Sequence, residues 1–415
     1  MADVFTVYCH GTGSNRDKHT ETEIVNYFGR RADDEEYDDW LMLDGVGSKP
    51  KKHPLAGTFV YDENAPYYKK LIDKKDLKMK QKNPLMAMAV GSGVNGNVAF
   101  ALEVLTRRPK VPSVINMIGW SRGGVTAIRL ANALSEQPQF RSVKINIVAI
   151  DPVAGGERGN DAKNRVLPKQ VKNFLCILAT GEKRSSFKPQ DAERIVASRS
   201  CNVVMLPFPG VHDTVAKLAD GPRGLVSQVV FAIAGQFLEH FGSVPRQQGP
   251  IMDDLDYLQY YAEMIVRLDE YKKLRVGKIK GARLTDRAVS KGTLTTRDFA
   301  KHLDQYVIDP ENFINIHHRR CFKSCYPNLF GYIYQSDKGK IDKRKVEPEF
   351  LSAPEVVQRC VLKQMATISG EEENDVYQLH QGIFEEKRAE RIIYRGSLHA
   401  MGILDSFDQM HKRGG

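Results

Sequence analysis

The run Val114-Ile115-Asn116-Met117-Ile118-Gly119-Trp120-Ser121-Arg122-Gly123-Gly124 constrains this chain more than any other stretch. It is apolar and β-prone, stops abruptly at Gly-x-Ser-x-Gly, and is followed by Val125, Ala127, Ile128, Ala131 and Leu134 at helical spacing. A strand that turns at once into a helix holds a serine in strained backbone above the strand end, and the flanking glycines let strand and helix approach closely. The pentapeptide alone recurs by chance in many chains, so the strand before it and the helix after it give it weight. A catalytic reading then requires a base, an acid and oxyanion donors from elsewhere.

Other strand ends offer them. Val4 to Tyr8 runs into Cys9-His10-Gly11-Thr12-Gly13-Ser14-Asn15, small residues whose backbone N–H groups can face an anion. A helix is expected over Thr20 to Gly29, an acidic loop over Asp33 to Asp39, and a short strand and turn over Leu41 to Gly47. Gly91-Ser92-Gly93-Val94-Asn95-Gly96 fits Gly-x-Gly-x-x-Gly ahead of a helix from Val98 to Leu105. A dinucleotide site also wants an acid about 20 residues on, at the end of the next strand. That strand ends at Ser121 instead, which favours a tight loop launching a helix. Strands over Val143 to Ile150, Phe174 to Ala179 and Val203 to Leu206 end in Asp151-Pro152, Thr180 to Phe187 and Pro207 to Asp213. Strands alternating with helices predict an α/β fold with a mostly parallel sheet and sites at the carboxyl ends of its strands.

Ser121, Asp151 and His212 stand at such ends, in the order of the α/β-hydrolase arrangement. In that reading His212 takes the Ser121 Oγ proton, Asp151 holds the imidazole tautomer, and an acyl-enzyme forms and is hydrolysed. The oxyanion would meet the backbone N–H of Arg122 and one from the loop of Gly11 and Thr12, so Arg122 is expected to matter through its N–H rather than its charge. Each part has a plainer account: Asp151 as a turn residue before proline, His212 as a satisfied structural histidine. Asp213 is a rival acid, although its adjacency to His212 makes Nδ1 hard to reach, and His10 and Asp44 are weaker rivals. Joint occurrence at independent strand ends favours the triad.

The 415 residues are 27% charged and 41% hydrophobic, which fits a soluble globular protein of one large and one smaller domain. A net charge of +10 favours an anionic partner, nucleic acid or membrane surface. Tyr67 and Tyr68 are too few aromatics among the basic runs to argue nucleic acid. Six scattered cysteines form no disulfide framework and are expected reduced. No charged n-region and apolar h-region open the chain, so classical signal-peptide export is not expected. Leu225 to Leu238, broken by Ser227, Gln228 and Gln236, falls short of the ~20 residues a bilayer span needs and reads as a core helix. Residues 48–84 have no clean period and carry Lys69, Lys70, Lys74, Lys75, Lys78, Lys80 and Lys82 against Asp73 and Asp76. A solvated helix is the plain account; a lid or membrane-contacting insertion, with Met79, Leu85, Met86 and Met88 as its adaptable apolar component, is the functional one.

Beyond Pro245 strand signals fade. Amphipathic helices are expected around Leu255 to Leu268, Thr295 to Val307 and Pro354 to Ile368, with a basic stretch over Gly277 to Gly292. Residues 246–415 thus read as a mainly helical region that could cap a cleft or contact membrane. His317, Cys321 and Cys325 recur every four residues, as ligands on one helix face can, while His318 would point elsewhere. No fourth ligand is evident, so buried thiols and a surface histidine are preferred to zinc, and neither metal nor cofactor is expected.

From about Val4 to His212 the chain resembles the α/β-hydrolase family that includes the lipase effectors of bacterial type VI secretion. The resemblance lies in His10 to Asn15, Gly45-Val46-Gly47, Gly91 to Val98, Gly119 to Gly123, Ile150 to Gly155, Glu182 to Pro189 and Phe208 to His212, in order. It implies a catalytic domain over 1–245, with nucleophile, acid and base on Ser121, Asp151 and His212. It also implies a phospholipase acting on membrane phospholipid, made in the cytoplasm and delivered by a dedicated secretion machine into a target cell as an antibacterial or host-directed effector, with a machine component and an immunity protein as partners. The residues themselves supply only acyl transfer. An esterase on small soluble esters, or a non-catalytic membrane- or anion-binding module, are the alternatives. Two departures bear on the active-site wall: His10 replaces the family's usual aspartate, and Asp213-Thr214-Val215-Ala216-Lys217 replaces Ser-Asp-Val and glycines.

Overall fold

The computed structural model describes residues 3–15, 22–34, 39–48, 93–108, 110–155, 161–184, 186–191, 194–243, 251–274, 315–334 and 343–369. The expected lid residues Lys69, Lys70, Lys74, Lys75, Met79, Met86 and Met88 lie outside them, as do Thr295 to Val307 and Gly277 to Gly292.

Six strands form one sheet: β1 (Val4–Cys9), β2 (Trp40–Leu43), β3 (Val114–Trp120), β4 (Lys144–Ile150), β5 (Val171–Ala179) and β6 (Asn202–Phe208). Their order is β2-β1-β3-β4-β5-β6, and every pairing is parallel. Such strands are covered on both faces, which is why Ile115 to Trp120 and Ile145 to Ile150 are buried without interruption.

Alternate side chains serve two cores, as the period-2 geometry of a strand requires. Phe5, Val7, Met117, Ile147, Phe174 and Met205 pack against α2 (Val94–Thr106) and α3 (Arg122–Ser135) through Ala101, Leu105, Ile128 and Ala131. Tyr8, Ile118, Val148, Leu175, Val204 and Phe208 pack against α1 (Ile24–Asp34) and α4 (Pro222–His240). α4 contains the apolar run from Leu225 to Leu238 and is a core helix: Val226, Val229, Val230, Ile233 and Phe237 are all buried. At about 1.5–3 kcal/mol per fully buried large aliphatic or aromatic side chain, that face anchors the layer.

The second core continues past residue 245 into a helical region, with α5 (Asp254–Val266), α6 (Leu268–Lys272), α7 (Ile316–Cys325), α8 (Pro327–Tyr334), α9 (Lys343–Ser352) and α10 (Glu355–Ser369). Phe208 at the end of β6 stacks on Tyr261 of α5, ring centroids 5.9 Å apart, and Asn315 donates to the Pro207 carbonyl at 3.2 Å. Asp253 caps α5 in a reciprocal capping box with Asp256. Among the described residues no helix is long and apolar enough to cross a membrane.

Two local expectations shift. The helix expected over Thr20 to Gly29 begins at Ile24, because Glu23 pairs antiparallel with Lys217 and the Thr22 carbonyl accepts from Leu218 N–H at 2.6 Å. Gly96 lies inside α2 rather than in the loop before it, and Gly91 and Ser92 are outside the described residues.

Candidate active site

The sheet order reverses between β1 and β3, and in open α/β sheets ligands bind outside the carboxyl ends of strands at such a switch point. The loop after β1 and the turn after β3 stand side by side there. Ser121 lies between β3 and α3 with φ 57° and ψ −121°, left-handed-side backbone that a non-glycine residue adopts only when its surroundings hold it. Ser121 N–H donates to the Ile150 carbonyl at 2.9 Å, and its own carbonyl accepts from Val153 N–H at 3.2 Å. The glycines have steric reasons: a β-carbon at Gly119 would strike the backbone of Gly123, and one at Gly123 the carbonyl oxygen of Cys9. The approach of α3 to β1 and β3 admits no side chain there.

Asp151 follows β4 at φ 40°, its N–H donating to the Ile177 carbonyl at 2.7 Å. Its carboxylate is fully buried; Oδ1 accepts from Ala179 N–H at 3.1 Å, and Oδ2 lies 2.5 Å from His212 Nδ1. His212 follows β6 and is itself buried. Its imidazole lies against Trp120, ring centroids 5.2 Å apart, and meets the Phe187 ring edge-on at 5.0 Å. The residue preceding the serine therefore supports the histidine. The structure brings Asp151 and His212 into direct contact and sets Ser121 beside Trp120. No hydrogen bond joins Ser121 Oγ to His212 among the described contacts; such bonds are often long before substrate arrives.

Asp213, the rival acid, is half-exposed and pairs with Lys217 at 3.2 Å. His10 is taken by Glu23, with Nδ1 and Oε1 3.0 Å apart and both side chains wholly buried. Asp44 is buried after β2, its carbonyl accepting from Asn97 Nδ2 at 2.7 Å.

The Gly11 and Thr12 loop is fixed by the loop after β2. Gly13 N–H donates to Val46 at 3.0 Å, Gly45 N–H to Ser14 at 2.9 Å, and Ser14 N–H to Gly11 at 3.0 Å. The Arg122 N–H opens α3, and Arg122 Nη1 donates to Thr12 Oγ1 at 3.1 Å, tying the Ser121 turn to this loop. The Arg122 side chain reaches Thr12 because the sheet order sets β1 beside β3.

Glu182, Arg184 and Phe187 belong to no catalytic motif by their own letters, although an acid and a base two residues apart at a strand end are a usable signal. Glu182 is buried after β5 and accepts the His212 backbone N–H on Oε2 at 3.2 Å. Burial pushes its carboxyl up, but the Arg184 guanidinium and backbone N–H, with the His212 N–H, outweigh this and hold it below the usual carboxylate value. Glu23 was likewise unpredictable, since its partner stands in a different loop.

On α7, His317 is buried rather than at the surface: Nδ1 meets Tyr261 Oη at 2.9 Å, while Nε2 lies 3.9 Å from Cys321 Sγ. His318 is buried too, packed beside Tyr261. Burial, then neighbouring arginine charge, pushes both imidazoles down to about 3. Burial and Asp254 push the Cys321 thiol up. Among the described residues no group of three or more His, Cys, Asp or Glu could hold a metal ion.

Residues 271–394 match a family model described as Domain of unknown function (DUF5621). No curated protein matches the chain. A solved structure of the Tle1 effector bound to the VgrG spike from the Type 6 secretion system is 14% identical with a TM-score of 0.30, over 51% of this chain and 50% of that one. The crystal structure of an uncharacterized protein from Pseudomonas aeruginosa is 13% identical with a TM-score of 0.37, over 91% of this chain and 63% of that one. This chain therefore spans about half of the first neighbour and less than two thirds of the second.

Proposed function

We propose that this chain is a serine esterase acting on lipid, a phospholipase in which Ser121 is the nucleophile, His212 the base and Asp151 the acid. The observation that carries the reading is the buried 2.5 Å contact of Asp151 Oδ2 with His212 Nδ1 beside a serine held at positive φ. His212 removes the Ser121 Oγ proton as Oγ attacks the ester carbonyl. The N–H groups of Arg122 and of Gly11 or Thr12 receive the oxyanion. The imidazolium then protonates the leaving alcohol, and water, activated by His212, hydrolyses the acyl-enzyme. Residues 1–245 carry this chemistry, and the described helices from Asp254 onward pack on the second core.

Phospholipid as substrate is supported by the sequence resemblance and by the net charge of +10, which favours anionic membrane surface. The same resemblance supports an effector delivered by a secretion machine, with a machine component and an immunity protein as its partners.

A serine-directed fluorophosphonate should label the wild-type chain and leave folded Ser121→Ala unlabelled; equal labelling of the two would sink the reading. On mixed phospholipid vesicles, mass spectrometry should detect released fatty acid or lysolipid. Turnover of short soluble esters with intact vesicle lipid would favour the small-ester alternative. Failure of the folded wild-type chain to label would favour a non-catalytic module.

A further inference from the structure

The loop after β5 does more than connect strands. Thr180 N–H donates to the Phe208 carbonyl at 2.9 Å and Gly181 N–H to the Gly210 carbonyl at 2.7 Å, so residues 180–181 are laced to the segment that leads into His212. Glu182 then grips His212 at the backbone, Oε2 accepting its N–H at 3.2 Å. Arg184 engages the same carboxylate three ways: Nε to Oε1 at 2.7 Å, Nη2 to Oε2 at 2.7 Å, and backbone N–H to Oε1 at 2.9 Å. Its guanidinium carbon stands 3.6 Å over the Phe187 ring, whose edge-on partner is the His212 imidazole.

Burying a carboxylate costs several kcal/mol unless charge and hydrogen bonds compensate it, and a forked arginine is the strongest common compensation. Here the pair reaches the same histidine twice, through the Glu182 carboxylate and through the Phe187 ring. Its backbone is held by Glu182, one ring contact by Trp120, another by Phe187 and Nδ1 by Asp151.

We propose that Glu182, Arg184 and Phe187 form a clamp of positioning residues that fixes the His212 imidazole for proton transfer, so that this loop sets the rate of acylation along with the triad. The proposal rests on His212 being the base. Misplacing a reacting group by about 1 Å can cost on the order of 10²-fold in rate, so the clamp should show in kcat rather than in KM.

The test uses the full chain with Glu182→Gln and Phe187→Leu. A glutamine cannot take both arms of the Arg184 fork, and a leucine removes the ring edge. Fluorophosphonate labelling rate, kcat and KM on a soluble ester, and the low-field Nδ1 proton resonance of His212 are measured, with circular dichroism as the fold control. Glu182→Gln is expected to lower labelling rate and kcat about 10²-fold and Phe187→Leu about tenfold, with KM little changed. The low-field proton should broaden in both. Folded variants that label and turn over at the wild-type rate, or that change KM alone, overturn the clamp while leaving the triad standing. If Glu182→Gln does not fold, wild-type behaviour of Phe187→Leu overturns it by itself. A folded wild-type chain inert to the probe overturns the triad reading and the clamp together.

Discussion

Ser121 and Asp151 are the non-glycine residues of positive φ among those described, and they occupy the two turns that meet at the site. Each such backbone costs on the order of 1–3 kcal/mol, a cost offset by the β-ladder bonds that seat both residues and by the packing of α3. At this scale the two neighbouring acids separate cleanly. Asp151 is buried on the imidazole, whereas Asp213 is half-exposed on Lys217. Asp151→Asn is expected to lower kcat by about 10⁴-fold with little loss of stability, because the wrong tautomer is then favoured. Asp213→Asn should stay within about twofold, as surface changes do. Steady-state kinetics on the two purified variants decide it, and the reverse ranking would move the acid to Asp213. The candidates Ser121, Asp151 and His212 were legible from motif and chain order. Glu182, Arg184 and Glu23 were not, because their contacts join residues remote in sequence and no local period encodes those.

Elements were legible where a period ran unbroken. β3, β4 and α4 fall where the apolar patterns place them, while α1 starts late because a distant loop recruits Thr22 and Glu23. The parallel register also aligns Asn116, Asn146 and Asn173 across three strands. Asn146 Nδ2 donates to Asn116 Oδ1 at 2.8 Å, and Asn173 Nδ2 to Asn146 Oδ1 at 2.7 Å. The row ends where Asn116 and Thr6 both donate to Ser243 Oγ, at 2.6 and 2.7 Å. A slip in register would leave these buried amides unpaired, so the row specifies strand alignment as well as adding stability. Asn146→Ala strands two amide atoms and should destabilise by about 2–4 kcal/mol. A lower urea midpoint at unchanged slope would show it, and an unchanged midpoint would deny the row its role.

Over the whole molecule, the helical region shares a core with the sheet, and that arrangement buries His317 and His318. Neither ring nitrogen of His318 has a partner among the described residues. Both imidazoles are held neutral down to about 3, while an unfolded chain protonates histidine near 6.5. The unfolded state therefore binds more protons between those values, and stability falls as pH drops from about 6.5 towards 3, by up to about 1.4 kcal/mol per pH unit for each histidine. Above that window neither contributes a slope. His318→Leu removes one such slope and a desolvated polar ring, so it should raise stability at pH 7 by about 1 kcal/mol and flatten the acid limb. Urea titrations at pH 7 and pH 5 would test this, and an unchanged difference between the two would refute it.

The sequence by itself determined the alternation of strands and helices, the apolar faces and the serine turn, since each is written in local spacing. It also marked an acid after β4 and a histidine after β6. Only the tertiary structure decided that β1 lies beside β3, bringing the Gly11 and Thr12 loop to Ser121. The same folding set Asp151 rather than Asp213 against the His212 ring, joined Glu182 to the His212 backbone, and buried the α7 histidines. Each of these depends on which distant segments exclude water from one another, and packing across the sheet fixes that while no stretch of neighbouring residues does.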